Sequence, residues 1–402
     1  MSSTSETTTR PGPLSGYTVV DLSRALAGPH AGQMLGDLGA RVIKVENPAS
    51  GDDSRSWGPP FVGPEDDPQA TYFFSCNRNK ESIALNLKDD GDKEILAQLI
   101  ERADVLVENF RGGVLTRLGF STERCMELNP RLVILSITGF GHDGPEASRA
   151  GYDQIAQGEA GLMSLTGSGP DDMQKVGVPI ADLLSGIYGS YGVLAALLER
   201  ERTGRGKVVR TSLIAGMVGV HAFQGTRATV AGENPAPGGN HHPSLSPYGL
   251  FHCKGGAVQI SVGNQNLWHK LCAAFDIDPE TQGMATNAER VANRPAVISV
   301  IEERFRDYTA EELLEKLAAA GIPSGIVRSL QEVYQWEQAL SQGLKISVEH
   351  PVLGEIDLPG PPLRFFDADT AGETESTPRE HLAPPLLNEH GDAIRRWLEE
   401  TP

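Results

Sequence analysis

The 402 residues predict an α/β protein, with a Rossmann-like, doubly wound parallel sheet in a large domain followed by a smaller α+β domain. Three observations carry that prediction. The first 140 residues alternate short β-branched runs with helical stretches, which implies right-handed crossovers and a parallel sheet. A Gly-, Pro-, Asn- and His-rich stretch from Gly232 to Pro247 then breaks the pattern, and a compact mixture of strand and helices follows it. At 402 residues, the chain also exceeds what one simple core usually serves. The expected domains are a disordered tail at 1–13, the large domain at 14–225, the small domain at 226–328, and a C-terminal segment at 329–402 that returns to the large domain.

Each element has a local reason. Thr18 to Leu22 reads as a strand, and Gly28-Pro29 opens a helix through Leu38 with proline at a tolerated first-turn position. Ala40–Val45, Ser82–Leu87, Asp104–Val107 and Leu132–Ile137 read as further strands, and Asp92–Ala103 as a helix. Lys175 to Ala181 reads as a buried apolar stretch, a strand that turns into the helical run Leu183–Arg200. That run carries Gly186, Gly189 and Gly192, each costing about 1 kcal/mol relative to alanine. Such a cost predicts another backbone packed closely against this helix. Ser212–Val230 reads as one more long helix. In the second domain Ala257–Val262 is a strand, and Gln265–Phe275, Arg294–Arg306 and Ala310–Ala320 are helical. The tail has proline-broken extended pieces at 349–351 and 358–362 and a last helix from Gly391 to Glu399. Strapping of that kind cannot form its own core and must lie across another surface.

Composition excludes several classes. A net charge of −18 argues against nucleic acid or an anionic membrane as partner. There is no apolar run near ~18 residues, hence no expected membrane span. Met1 to Thr9 lacks an apolar signal core, and Cys76, Cys125, Cys253 and Cys272 are scattered. Reduced thiols in a cytoplasmic protein are the expectation. No metal site is expected, because His241 and His242 are adjacent and no second ligand cluster accompanies them. The glycine fingerprints of dinucleotide and phosphate loops are missing, as is the serine hydrolase elbow.

Asp182 ends the run Lys175–Ala181 at the start of a helix. An aspartate there ordinarily caps. It also meets the positive end of the helix dipole, which favours the ionised form, at a turn where open α/β sheets carry reactive groups. Position alone leaves both readings open. Arg24, Arg41, Lys44, Arg78, Lys80, Arg111 and Arg117 cluster around the early strands and are candidates for a phosphorylated ligand, although most such residues are simply solvated.

Taken together, several segments resemble the class III coenzyme A transferases. They are Arg24-Ala25-Leu26-Ala27-Gly28-Pro29, Gly39 to Glu46, Asn77 to Ile83, Val107-Glu108-Asn109-Phe110, Ser136 to Gly141, Ala150-Gly151-Tyr152-Asp153, Ala181-Asp182 and Gly204 to Lys207. Pro247-Tyr248, Gly263-Asn264, His350-Pro351 with Gly354, and Pro359-Gly360-Pro361 are most similar to the branch acting on dicarboxylates, the succinate–glutarate and hydroxymethylglutarate transferases. The resemblance runs from about Leu14 to Trp397. It implies that Asp182 is the catalytic aspartate and that coenzyme A is a substrate, with no permanently bound cofactor. It also implies that Ala25, Leu26, Ala27, Asn109, Phe110 and Arg117 contact coenzyme A, largely through backbone groups and one guanidinium. The formyl and oxalyl members carry a basic residue where this chain has Asn47, so Arg78 or Arg111 stands in for that phosphate contact. An interlocked homodimer is the implied assembly.

The chemistry fits a carboxylate nucleophile that itself becomes a thioester in a site that excludes water. The Pro237–His241 segment, with Gly238, Gly239 and His241, is a candidate lid whose amides would hold an oxyanion. Two rivals remain. A related α-methylacyl-CoA racemase places a histidine in the Gly-x-Asp context, where this chain has Tyr152, whose ordinary pKa of about 10 does not suit a neutral-pH base. A non-catalytic acyl-CoA binder of the same fold is the other.

Overall fold

The computed structural model describes residues 12–400; residues 1–11, which make up most of the expected disordered tail, lie outside the described residues. The chain divides into two compact units. The first comprises residues up to Leu162, Val176–Val230 and Glu337 onward, and the second Met163–Lys175 with Ala231–Trp336.

The first unit is built on six strands: β1 (Thr18–Asp21), β2 (Arg41–Glu46), β3 (Lys80–Ala84), β4 (Val105–Glu108), β5 (Val133–Thr138) and β6 (Lys207–Ser212). Their order is β3-β2-β1-β4-β5-β6, and every neighbouring pair is parallel. That is the doubly wound order whose direction reverses between β1 and β4, where ligands settle at the strands' carboxyl ends. Alternation along the strands sends side chains to both faces. Val19, Val42, Val105, Val107, Val133 and Leu135 pack with Ala27, Ala31 and Leu35 of α1 (Ala27–Asp37). Val20, Ile43, Leu106 and Ile134 go the other way, onto Leu96, Leu99 and Ile100 of α2 (Asp90–Arg102). With both faces covered, the strands read as continuous apolar runs.

Two further helices complete the cover and place the chemistry. The short α3 (Asp153–Glu159) precedes α4 (Ile180–Thr203), whose Val193, Ala196 and Leu197 join the α1 face. By length and composition α4 is the one described helix that would cross a membrane; here its small-residue side lies on the sheet and on α1. A Cβ on Gly186 would stand 2.8 Å from the Ala27 carbonyl oxygen, so the expected close backbone approach is real at that position. At Gly189 and Gly192 the neighbours are instead the side chains of Leu135 and Val209.

Three local expectations are corrected. Residues 174–179 form no strand, and Val178 is 49% exposed, so the lead-in to Asp182 is an open extended segment ending at Pro179. Ser212–Val230 is not one helix; it breaks into α5 (Leu213–Gly219) and α6 (Ala222–Ala231) around Val220 and His221, with Ala222 at φ 48°. Residues 163–175, which carry no boundary signal, group with the second unit.

The C-terminal segment packs on the first unit. The hairpin of strands Lys345–His350 and Gly354–Pro359 places Val348 and Leu358 against Ala70, Phe73 and Phe74. Asn388 accepts a hydrogen bond from the Ala84 N–H at 2.8 Å. Ile394 and Leu398 of the last helix, Gly391–Glu400, enter the core on the α2 side.

In the second unit β7 (Tyr248–Cys253), β8 (Gly256–Ser261) and β9 (Ser324–Ile326) form an antiparallel sheet. Helices Gln265–Ala274, Arg294–Phe305 and Ala310–Ala319 enclose a core of Phe251, Trp268, Phe305 and neighbouring aliphatics.

Candidate active site

Asp182 is the third residue of α4, yet it does not cap that helix. The cap comes from α3, where Asp153 Oδ1 accepts the N–H of Ala181 at 2.7 Å and of Asp182 at 3.3 Å. Gln157, one turn further along α3, donates to Asp153 Oδ2 at 2.7 Å and accepts the Val176 N–H at 2.9 Å. These bonds fix the approach to Asp182 from a helix nearly 30 residues away in sequence. Gly139 and Gly151 set α3 in place: a Cβ on Gly151 would lie 2.7 Å from the Gly139 Cα, so only glycines allow the two loops to cross here.

With the helix end already satisfied, the Asp182 carboxylate is left facing inward and half-buried. Burial, and then the nearby Asp153 charge, raise its pKa from the ordinary 3.8 to about 7. The expectation that the helix dipole holds it ionised is therefore overturned. A dipole contributes up to about 2 kcal/mol in partly buried settings, which desolvation outweighs. Tyr72 lies within electrostatic reach: burial, and then the Asp182 charge, push its phenol up to about 12. Its ring meets Trp57 edge-on, with centroids 4.9 Å apart. Neither aromatic stands out in the sequence, because Trp57 lies in an irregular segment and Tyr72 in a helix of only four residues, Thr71–Phe74.

The residues expected to meet coenzyme A gather at the sheet's reversal point. Ala25, Leu26 and Ala27 follow β1, and Asn109 and Phe110 follow β4. Asn109 bonds both polar groups of the Arg24 backbone, accepting from N–H at 2.9 Å and donating to the carbonyl at 2.7 Å. The Arg24 guanidinium sits 5.8 Å from the Phe110 ring centre. The Ala25 N–H is used by Asp52 at 3.1 Å, so the amides of Leu26 and Ala27 are the ones left without partners among the described residues. The link to Asp182 is short. Gly186, one turn beyond it on α4, abuts the Ala27 carbonyl.

The basic residues separate into two groups. Lys44 and Lys80 are fully buried, paired with Asp52 and Asp21 at 2.8 and 2.9 Å. Burial pushes the Asp52 carboxyl up, but Lys44 and Ser54 more than offset this and leave it at about 2. Arg41 forms a two-point pair with Glu81. Arg78 is 5% exposed; it binds Asp37 through two nitrogens and donates to the Pro359 carbonyl at 2.8 Å. A guanidinium so buried, with three of its five N–H donors and its charge committed inside the protein, is poorly placed to meet a phosphate, and the Arg78 expectation is corrected accordingly. Arg111 and Arg117 are exposed and carry no ion pair among the described residues. Tyr152 immediately precedes α3 and is 64% exposed.

Gly238, Gly239 and His241 belong to the second unit. The Gly239 N–H donates to the Gly167 carbonyl at 2.9 Å, and the His241 ring packs edge-on against Phe251. No group of acidic, histidine or cysteine side chains able to hold a metal occurs among the described residues.

Residues 14–390 fit the model of "CoA-transferase family III". The human succinyl-CoA:glutarate CoA-transferase is 37% identical over 380 residues, covering 94% of this chain and 84% of its own. The succinate–glutarate CoA-transferase of Agrobacterium fabrum is 39% identical over 341 residues, covering 84% and 85%. The crystal structure of a CAIB/BAIF family protein from Brucella suis superposes with a TM-score of 0.85 at 39% identity, covering 97% of this chain and 100% of that one. The chain belongs to CoA-transferase family III, and it is an enzyme that moves coenzyme A between acyl thioesters and carboxylic acids.

Proposed function

We propose that the enzyme takes coenzyme A from succinyl-CoA or another dicarboxylyl-CoA and passes it to a dicarboxylic acid, with Asp182 as the covalent relay. The observation that carries this reading is the position of Asp182: half-buried, unused by its own helix, and one turn from the residue that abuts Ala27. The succinate and glutarate named for the two relatives support the substrate class.

In this scheme an Asp182 oxygen attacks the thioester carbonyl, the C–S bond breaks, and a mixed anhydride forms with release of the thiolate. That thiolate attacks Asp182 Cγ, expels the donor acid as its carboxylate and leaves an aspartyl-CoA thioester. The acceptor carboxylate attacks the same carbon, regenerating the thiolate and a second anhydride. Thiolate attack on the acceptor's carbonyl returns free Asp182 and the new acyl-CoA. No electrons and no net protons are exchanged. Desolvation raises the nucleophilicity of the carboxylate and protects both intermediates from water.

Other parts of the reading follow from the same residues. The open amides of Leu26 and Ala27, with Phe110, take the coenzyme, and the exposed Arg111 and Arg117 meet its phosphates. The Gly238–Gly239–His241 segment serves as a lid. The enzyme works as an interlocked homodimer in the cytoplasm. Ile187, Tyr191, Leu194 and Leu198 support the dimer, since they form one exposed apolar stripe along α4. All four cysteines are unpaired, which supports the location.

The test incubates the protein with succinyl-CoA and a panel of carboxylates and reads new thioesters by mass spectrometry. Exchange with glutarate and related diacids, lost in Asp182→Ala, is the expected result. Undiminished exchange in that variant refutes the relay. Loss of an α-proton to deuterated water, without transfer, identifies a racemase. Light scattering that gives a stable monomer refutes the dimer.

A further inference from the structure

The turn from Ser23 to Ala25 is held at every backbone polar group by side chains of the first unit, all but one of them distant in sequence. The Ser23 N–H donates to Asp21 Oδ1 at 3.0 Å, and its carbonyl accepts from Lys44 Nζ at 2.9 Å. Asn109 takes both groups of Arg24. The Ala25 N–H goes to Asp52 Oδ1 at 3.1 Å, and its carbonyl faces the Cys76 thiol at 3.6 Å. Such complete engagement has an evident cause. Ala25 sits at φ 67°, in the left-handed region that an L-residue with a Cβ avoids, and surrounding contacts must impose it.

Asp52 is the member of this set with two tasks. It is 1% exposed. Its Oδ1 also accepts the Ser54 N–H at 2.9 Å and the Ser54 hydroxyl at 2.7 Å, while Oδ2 lies 2.8 Å from Lys44 Nζ. The same lysine grips Ser23, so the carboxylate closes a loop of contacts around the strained residue.

We propose that Asp52 is a positioning residue for the coenzyme: it touches no ligand, but by holding residue 25 in its left-handed conformation it keeps the open Leu26 and Ala27 amides presented at the sheet's reversal point. The inference rests on the reading that this turn takes coenzyme A. It makes the competent turn a conformation maintained by a buried ion pair, and apparent affinity falls in proportion to the fraction of molecules that hold it.

Asp52→Asn is the test. Asparagine has one acceptor oxygen and one donor amide, so it satisfies either Lys44 or the Ala25 and Ser54 amides, not both. Binding of a non-hydrolysable thioether analogue of succinyl-CoA is measured by calorimetry, with kcat and both KM values beside it. The expected result is a Kd and an acyl-CoA KM raised about tenfold, which converts to about 1.4 kcal/mol. The kcat at saturating acyl-CoA and the KM of the acceptor acid stay near wild type. Ser54→Ala removes a hydroxyl from the same oxygen while leaving the Ala25 bond, and it is expected to keep the wild-type Kd. Equal Kd values for wild type and Asp52→Asn overturn the inference alone, and so does an equal weakening by Ser54→Ala, which marks general loosening. A wild-type protein that fails to bind the analogue overturns the coenzyme reading and this inference with it.

Discussion

Replacing Asp182 by asparagine should abolish transfer while making the protein more stable. The wild-type carboxyl has its pKa moved from 3.8 to about 7, chiefly by burial. Each tenfold change in acidity is worth about 1.4 kcal/mol, so the native state carries a penalty of roughly 4 kcal/mol when Asp182 is ionised. Residual solvent contact of a half-buried side chain reduces this to about 2 kcal/mol. The sign follows from linkage: an acid weakened by folding is penalised only where it is ionised. The penalty is therefore absent below 3.8, grows between 3.8 and about 7, and is complete above. Urea denaturation of both proteins from pH 4 to pH 8.5 is the assay. Asp182→Asn should be more stable by about 2 kcal/mol at pH 8, with the difference vanishing toward pH 4. Equal stability at pH 8, or a gain that does not depend on pH, would refute the argument from desolvation.

Two more outcomes are expected. Asp153→Asn keeps an oxygen to cap α4 but removes the second cause of the high Asp182 pKa, so the acid limb of kcat/KM should move to lower pH. The move should be smaller than the one burial causes, and pH–rate profiles check it; an unmoved limb contradicts the coupling. Arg78→Met leaves the Asp37 charge buried with only the Asn79 amide for a partner and should cost about 3 kcal/mol in chemical denaturation, with little change in acyl-CoA KM. A large rise in that KM without loss of stability would return Arg78 to the phosphate site.

Central strands were legible in the sequence because they are buried on both faces: Val19-Val20, Val42-Ile43 and Leu132–Leu135 are unbroken apolar runs. The edge strand Lys207–Ser212 was not, since Lys207 and Arg210 are exposed and interrupt its pattern. The approach to Asp182 was misread for a related reason. Val176, Val178 and Ile180 look like a buried strand, but composition cannot tell such a run from an extended segment running along a surface. The Asp182 position itself was readable from its motif, whereas its protonation was not. That depends on burial by the folded chain and on Asp153, nearly 30 residues away in sequence. Asn109 was expected beside the coenzyme from the family resemblance; the fold adds its grip on the Arg24 backbone, which the sequence does not show. Arg78 misled because a basic residue near a strand end is equally suited to a ligand or to a buried carboxylate, and only the position of Asp37 distinguishes the two.

The central claim is that the Asp182 side chain becomes acylated and then carries the thiol. Its most direct test is borohydride reduction of protein quenched during turnover with succinyl-CoA, followed by peptide mass spectrometry. The account predicts reduction of Asp182 to the corresponding alcohol, in proportion to trapped enzyme, and no other modified carboxylate. An unmodified Asp182 peptide in protein that is exchanging at full rate would contradict it.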